Sequence, residues 1–211
     1  MDDPTIVQKK KRGFRLRYNS PVILSYAFIC TIIMILAQIF REGFLQFFVV
    51  PGNTTGFRLF SLDVLRLVTH AMGHASWPHL LGNFTFILLI GPILEERYGS
   101  GLMVIMMLVT AFVTGLLNVF LFPTGLLGAS GIVFMLILLI SFTNVKEGEI
   151  PITFIIVVLL FIGQEIYRGI VEKNNVSEFA HIIGGLFGGI FGFFLGSKKE
   201  KGKSIEDSIS G

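Results

Sequence analysis

Apolar and polar positions fall into long blocks along this chain. Continuous apolar runs cover about 21–40, 78–97, 102–122, 128–144, 151–168 and 179–196. Each is close to the roughly 20 residues that carry a helix across a bilayer. The runs do not alternate, as the strands of a membrane barrel would. The pattern therefore predicts an all-α membrane protein with six transmembrane helices. Tyr98-Gly99-Ser100-Gly101 and Pro123-Thr124-Gly125 read as the turns around the third run. The segment 41–77 breaks the pattern. Part of it is apolar (FLQFFVV) and part is turn-like (PGNTTG), and it carries Arg41, Glu42, Arg58, Asp63 and Arg66. A long first loop lying in the bilayer interface fits this mixture. The chain divides into a basic segment 1–20, a membrane domain 21–197 and a charged tail 198–211.

Composition agrees with a lipid environment. Apolar residues make up 53% and charged residues 15% of the chain; the mean hydropathy is +0.76. A soluble domain carries about 25% charged residues. The net charge of +3 is small, and the basic residues gather at the two ends. That suits a membrane surface and gives no footprint for nucleic acid. Lys9, Lys10, Lys11, Arg12, Arg15 and Arg17 precede the first run, and Lys198, Lys199, Lys201 and Lys203 follow the last. The positive-inside rule puts both ends in the cytoplasm, which requires an even number of spans, in a multi-pass protein of the plasma membrane. The first run is long and reads as a transmembrane helix, not as a cleaved signal. Cys30 stands alone within it, so neither a disulfide nor a cysteine metal site is expected.

This topology sets the second, fourth and sixth runs parallel, each starting near the outer face. His79 and Asn83 open the second, Ser130 the fourth and His181 the sixth. An ionisable group in a span is costly and marks a candidate site. His181 shares a helix face with Gly184, Gly188 and Gly192, and such spacing lets two helix backbones come close. Ser130 lies in Gly128-Ala129-Ser130-Gly131, where glycine leaves the hydroxyl uncrowded. A serine hydroxyl needs a base to become a nucleophile, and His181 is at matching depth. Asp2, Asp3, Asp63 and Asp207 all lie outside the runs, so a Ser-His dyad is expected in place of a triad. His79 and Asn83, four apart on one face, could donate to an oxyanion, with the Ser130 backbone N–H as a third donor. No metal or cofactor is implied.

Taken in order, these residues resemble the rhomboid family of intramembrane serine proteases. The resemblance runs from about Arg66 to Gly192. It rests on Leu65-Arg66, Thr69-His70, His74, His79 and Asn83, then Leu94-Glu95 and Gly99, then Gly128-Ala129-Ser130-Gly131, and last Ala180-His181 with Gly184 and Gly188. It implies a compact bundle of six helices, Ser130 as nucleophile, His181 as general base, and His79 and Asn83 at the oxyanion. It also implies a structural role for His74 at the loop–helix junction and a tethering role for Glu95 at the inner end of the second helix. Leu65 stands where the family often has tryptophan. Phe134 stands where it often has a tyrosine stacked on the histidine. The implied partners are single-span or polytopic membrane-protein substrates and the lipid bilayer.

Other classes fit less well. The spans hold no aspartate for an aspartyl protease, and no H-E-x-x-H for a zinc protease. No inverted repeat points to a transporter. The rival is a pseudoprotease scaffold of the same family, which typically lacks the serine or the histidine. Glu165 and Arg168, three apart, form a candidate pair near one end of the fifth run. Asn53-Thr54-Thr55 and Asn175-Val176-Ser177 fit glycosylation sequons.

Overall fold

The computed structural model describes residues 19–40, 42–59, 61–142, 152, 155, 156, 159, 160 and 182–194. Helix α1 spans Pro21–Phe40, α2 Glu42–Leu45, α3 Asp63–Thr69, α4 Trp77–Tyr98, α5 Ser100–Leu121 and α6 Ser130–Phe142. A last helix, α7, spans Ile182–Phe194. Ile152, Ile155, Ile156, Leu159 and Leu160 are helical and exposed. Among the described residues there is no strand; one antiparallel bridge joins Val50 and Leu126. Three helices, α1, α4 and α5, are long and apolar enough to cross a membrane, and α6 and α7 are shorter apolar helices. The basic N-terminal segment, most of the run 151–168, Glu165, Arg168, the second sequon and the charged tail lie outside the described residues.

Helix boundaries follow local chemistry. Ser76 caps α4, its hydroxyl accepting from the His79 N–H at 3.3 Å, and Pro78 stands in the first turn where its missing N–H is harmless. Gly99 alone separates α4 from α5. It adopts φ +86°, which favours glycine, so the expected four-residue turn shrinks to one residue. Ser100 and Gly101 already belong to α5.

The core lies where α1, α4, α5 and α6 meet. Leu80, Ile87 and Leu94 of α4 recur at seven-residue steps and pack with Ile23, Cys30 and Met34 of α1. Met103 and Met106 of α5 and Met135, Leu136 and Leu139 of α6 complete it. The outward faces stay apolar: Leu89 is 66% and Ile93 55% exposed. A surface of this kind belongs in lipid.

Two polar devices lock this bundle. The first is Glu95, buried at the end of α4. Its carboxyl oxygens accept the backbone N–H groups of Val22 and Ile23, each at 3.0 Å, and the Ser100 hydroxyl at 2.7 Å. The free donors at the start of α1 are thereby satisfied by another helix. The second is the anchoring of the first loop. Asp63 accepts from Arg66 Nη1 at 2.7 Å and from the Arg58 N–H at 3.0 Å, which ties α3 to the segment before it. Helix α3 then lies on α5, where the Leu67 carbonyl sits so close to Gly115 that a Cβ there would be 2.6 Å from the oxygen. Tyr26 of α1 donates to the Ala71 carbonyl at 2.6 Å. His70 donates from Nε2 to the Ala111 carbonyl at 3.1 Å. Burial drives its imidazole down to about 4, although the bond to Ala111 pulls the other way. Its Nδ1 has no partner.

Two outcomes follow from these locks. Glu95→Ala leaves two helix-start donors without an acceptor and lowers stability in detergent by roughly 2–5 kcal/mol, with Glu95→Gln milder. A melting midpoint unchanged in Glu95→Ala contradicts the tether. For His70 the folded value lies below the unfolded 6.5. Stability is full above 6.5 and is lost as pH falls towards 4, by up to about 3 kcal/mol. Denaturation of the wild type at pH 7 and pH 4.5 measures this loss; His70→Gln, which cannot titrate there, should retain part of it.

Candidate functional site

Residues 122–129 leave α5, follow no regular helix and deliver Ser130 to the first position of α6. In a membrane protein such a backbone needs partners from the protein itself. The first loop supplies most of them. Val50 and Leu126 exchange both N–H···O bonds at 3.0 Å. The Asn53 N–H donates to the Phe122 carbonyl at 2.8 Å, and Thr54 Oγ1 to the Pro123 carbonyl at 3.0 Å. The Gly128 N–H donates to the His70 carbonyl at 3.0 Å. From α5, Asn118 Nδ2 donates to the Thr124 carbonyl at 3.1 Å. The segment that presents the serine is thus pinned from two sides.

Gly128 has two reasons to be glycine. Its φ is +129°, and a Cβ there would lie 2.7 Å from Cε1 of His79. The His79 ring of α4 therefore rests against the backbone two residues before Ser130. Ser130 and His79 are both half-buried. His79 meets His74 edge to face, with ring centroids 5.2 Å apart.

Asn83 lies one turn further into α4, buried, on the same face. Its Nδ2 lies 3.0 Å from Nε2 of His74, which is fully buried. Burial first, and the neighbouring His79 next, hold the His74 imidazole down at about 4. It is neutral at physiological pH, so Nε2 can accept from the Asn83 amide. One of the two amide hydrogens is engaged and the other remains. The spacing of His79 and Asn83 gives their common face; it does not give His74 as the group that orients Asn83.

Helix α7 meets α6 through its glycines. A Cβ on Gly184 would collide with the Gly131 carbonyl, one on Gly188 with the Met135 carbonyl, and one on Gly192 with the Phe142 side chain. Gly131 directly follows Ser130. Phe134 is half-buried one turn further along α6. His181 lies outside the described residues.

The described part of the site thus joins Ser130, Gly128, His79, His74 and Asn83, with Gly184 against Gly131. Glu95 is at the far end of α4 and serves the α1–α4 contact. Sequence reasoning gave no role to His70, Asn118, Asn53 or Thr54 in holding the serine segment. Asn118 carried a signal, since it is an amide inside an apolar run, twelve residues before Ser130.

Comparison with known proteins gives the family. The model of the Rhomboid domain matches residues 61–198. "Rhomboid protease GlpG" of Serratia proteamaculans is 31% identical over 118 residues, covering 55% of this chain and 41% of that protein. "RHOMBOID-like protein 7" of Arabidopsis thaliana is 34% identical over 141 residues, covering 63% of this chain and 43% of that protein. "Rhomboid protease GlpG" of Haemophilus influenzae is 26% identical over 144 residues, covering 66% of this chain and 73% of that protein. The chain spans less than half the length of the first two relatives. The domain match covers well over half of the chain and includes the whole constellation around Ser130, so this integral membrane protein belongs to the rhomboid family.

Proposed function

We propose that the protein is an intramembrane serine protease that hydrolyses peptide bonds in or near the transmembrane segments of other membrane proteins. The observation that carries this reading is the seating of His79 against Gly128, which brings a donor from α4 beside the serine segment. The packing of Gly184 on Gly131 supports it, because His181 precedes Gly184 by three residues in the sequence. The topology we propose is a compact bundle of six spans with both termini in the cytoplasm of a plasma-membrane protein, the site lying near the outer ends.

The reaction then runs as an acyl transfer. Ser130 Oγ attacks the scissile carbonyl carbon while His181 takes its proton. The carbonyl oxygen becomes an oxyanion, held by His79, by the free amide hydrogen of Asn83 and by the Ser130 backbone N–H. Collapse breaks the C–N bond, and His181 returns the proton to the leaving amine. Water, activated by His181, then hydrolyses the acyl-enzyme and restores the serine. His74 acts through Asn83 by fixing which way the amide points. A substrate helix in lipid satisfies its own backbone, so it must unwind locally to expose a bond. Helix-weakening residues near the outer face mark cleavable spans.

Reconstitution in vesicles with a fluorescent single-span substrate tests this. Ser130→Ala and His181→Ala each cut the rate by about 10³-fold or more. His79→Ala and Asn83→Ala each cut it by roughly 10²–10³-fold. Cleavage at the wild-type rate by Ser130→Ala would falsify the mechanism. Substrate binding by the wild type without any cleavage would favour a scaffold.

A further inference from the structure

Asn118 is 1% exposed at the end of α5. Its backbone carbonyl accepts the Phe122 N–H at 3.1 Å, closing the helix, while its side-chain amide reaches past that turn to the Thr124 carbonyl at 3.1 Å. Its Oδ1 is buried with no hydrogen-bond partner. A buried amide that satisfies only half of its polar atoms is a poor stabiliser, since the orphan acceptor has lost its water. An apolar side chain of similar size would bury equally well. What the apolar side chain could not do is hold Thr124.

From the first loop, Thr54 donates to the neighbouring Pro123 carbonyl at 3.0 Å. Gly52 also packs here, and a Cβ there would collide with the same Pro123 carbonyl. Two adjacent carbonyls are thus gripped by two side chains from different elements. Beyond them, Leu126 is bridged to Val50, and Gly128 places its N–H on the His70 carbonyl and its α-carbon beside His79. Every one of these contacts lies within eight residues of Ser130.

We propose that Asn118 and Thr54 are positioning residues for Ser130: together they clamp the Pro123-Thr124 backbone and so fix where the serine hydroxyl stands relative to its base and oxyanion donors. The inference rests on the protease reading above. It separates activity from stability. Removing the Asn118 amide removes the grip on Thr124 and also removes the orphan Oδ1. The fold should lose nothing while the reaction slows.

The test is the rate of Ser130 phosphonylation by a small fluorophosphonate, measured on the purified full chain in detergent alongside its melting midpoint. A small probe reports the reactivity of the serine without the docking of a protein substrate. Asn118→Leu should react about tenfold more slowly than wild type with an unchanged or raised midpoint. Thr54→Val should also slow, and Thr54→Ser, which keeps the hydroxyl, should restore the wild-type rate. Asn118→Leu reacting at the wild-type rate overturns the inference. A slower rate that comes with a lowered midpoint overturns it too, because that is loss of fold. If Asn118→Leu does not fold, Thr54→Val against Thr54→Ser decides: equal rates overturn the clamp, and a difference at equal midpoints supports it. A wild type that is never labelled at Ser130 sinks the protease reading itself, which is a different result from labelled wild type and unaffected variants.

Discussion

Two helix backbones touch where Gly184 of α7 meets Gly131 of α6, and no side chain larger than hydrogen fits between them. Lipid offers helices little hydrophobic reward for pairing, so close backbone packing is what holds them. The same contact recurs one turn on, with Gly188 against the Met135 carbonyl, and a further turn on Gly192 meets the Phe142 side chain. The first of these contacts is made by the residue immediately after Ser130. Any group that α7 contributes to the chemistry is therefore referenced to the serine through bare backbone. In the proposed mechanism, a few tenths of an ångström at Gly184 become a misplacement at the reacting atoms.

The serine is referenced on its other side by polar bonds. Residues 122–129 would be intolerable in a bilayer if their amides were unpaired. The first loop pairs them through Val50, Asn53, Thr54 and the His70 carbonyl, and α5 adds Asn118. That loop is in turn fixed to α1 by Tyr26 and to α5 by His70. Glu95 then sets α1 against α4. The chain of restraint runs from the α1–α4 contact, through the first loop, to Gly128, two residues before Ser130. Its members run from the exposed Asn53 and Thr54 to the buried Asn118, Glu95 and the neutral His70.

Three spans were legible because each is a long apolar run bounded by charge or turn residues. Pro21–Phe40, Trp77–Tyr98 and Ser100–Leu121 start and stop within two residues of the runs read from sequence. Gly99 was readable as a break, but only its φ shows that one residue suffices. The short helices α2 and α3 were not legible. Four and seven residues carry too little periodicity, and although the Asp63–Arg66 pair within α3 is local, the packing of α3 on Gly115 of α5 is a tertiary fact. At the site, helical spacing showed that His79 and Asn83 share a face. It could not show what lies across from that face, because the contacts of His74 with Asn83 and of His79 with Gly128 are set by the tertiary fold. His181 stands on sequence alone.

In the proposed mechanism the Gly131–Gly184 contact sets the geometry of the Ser130–His181 pair. Initial cleavage rates of Gly184→Ala and Gly189→Ala in vesicles test it most directly. A Cβ on Gly189 would meet only the far edge of the Phe142 ring, at 3.2 Å, whereas one on Gly184 would strike the Gly131 backbone. With helix content and melting followed in parallel, Gly184→Ala is expected to lose about a hundredfold in rate or more while Gly189→Ala stays near wild type. A folded Gly184→Ala that cleaves as fast as Gly189→Ala would contradict the account.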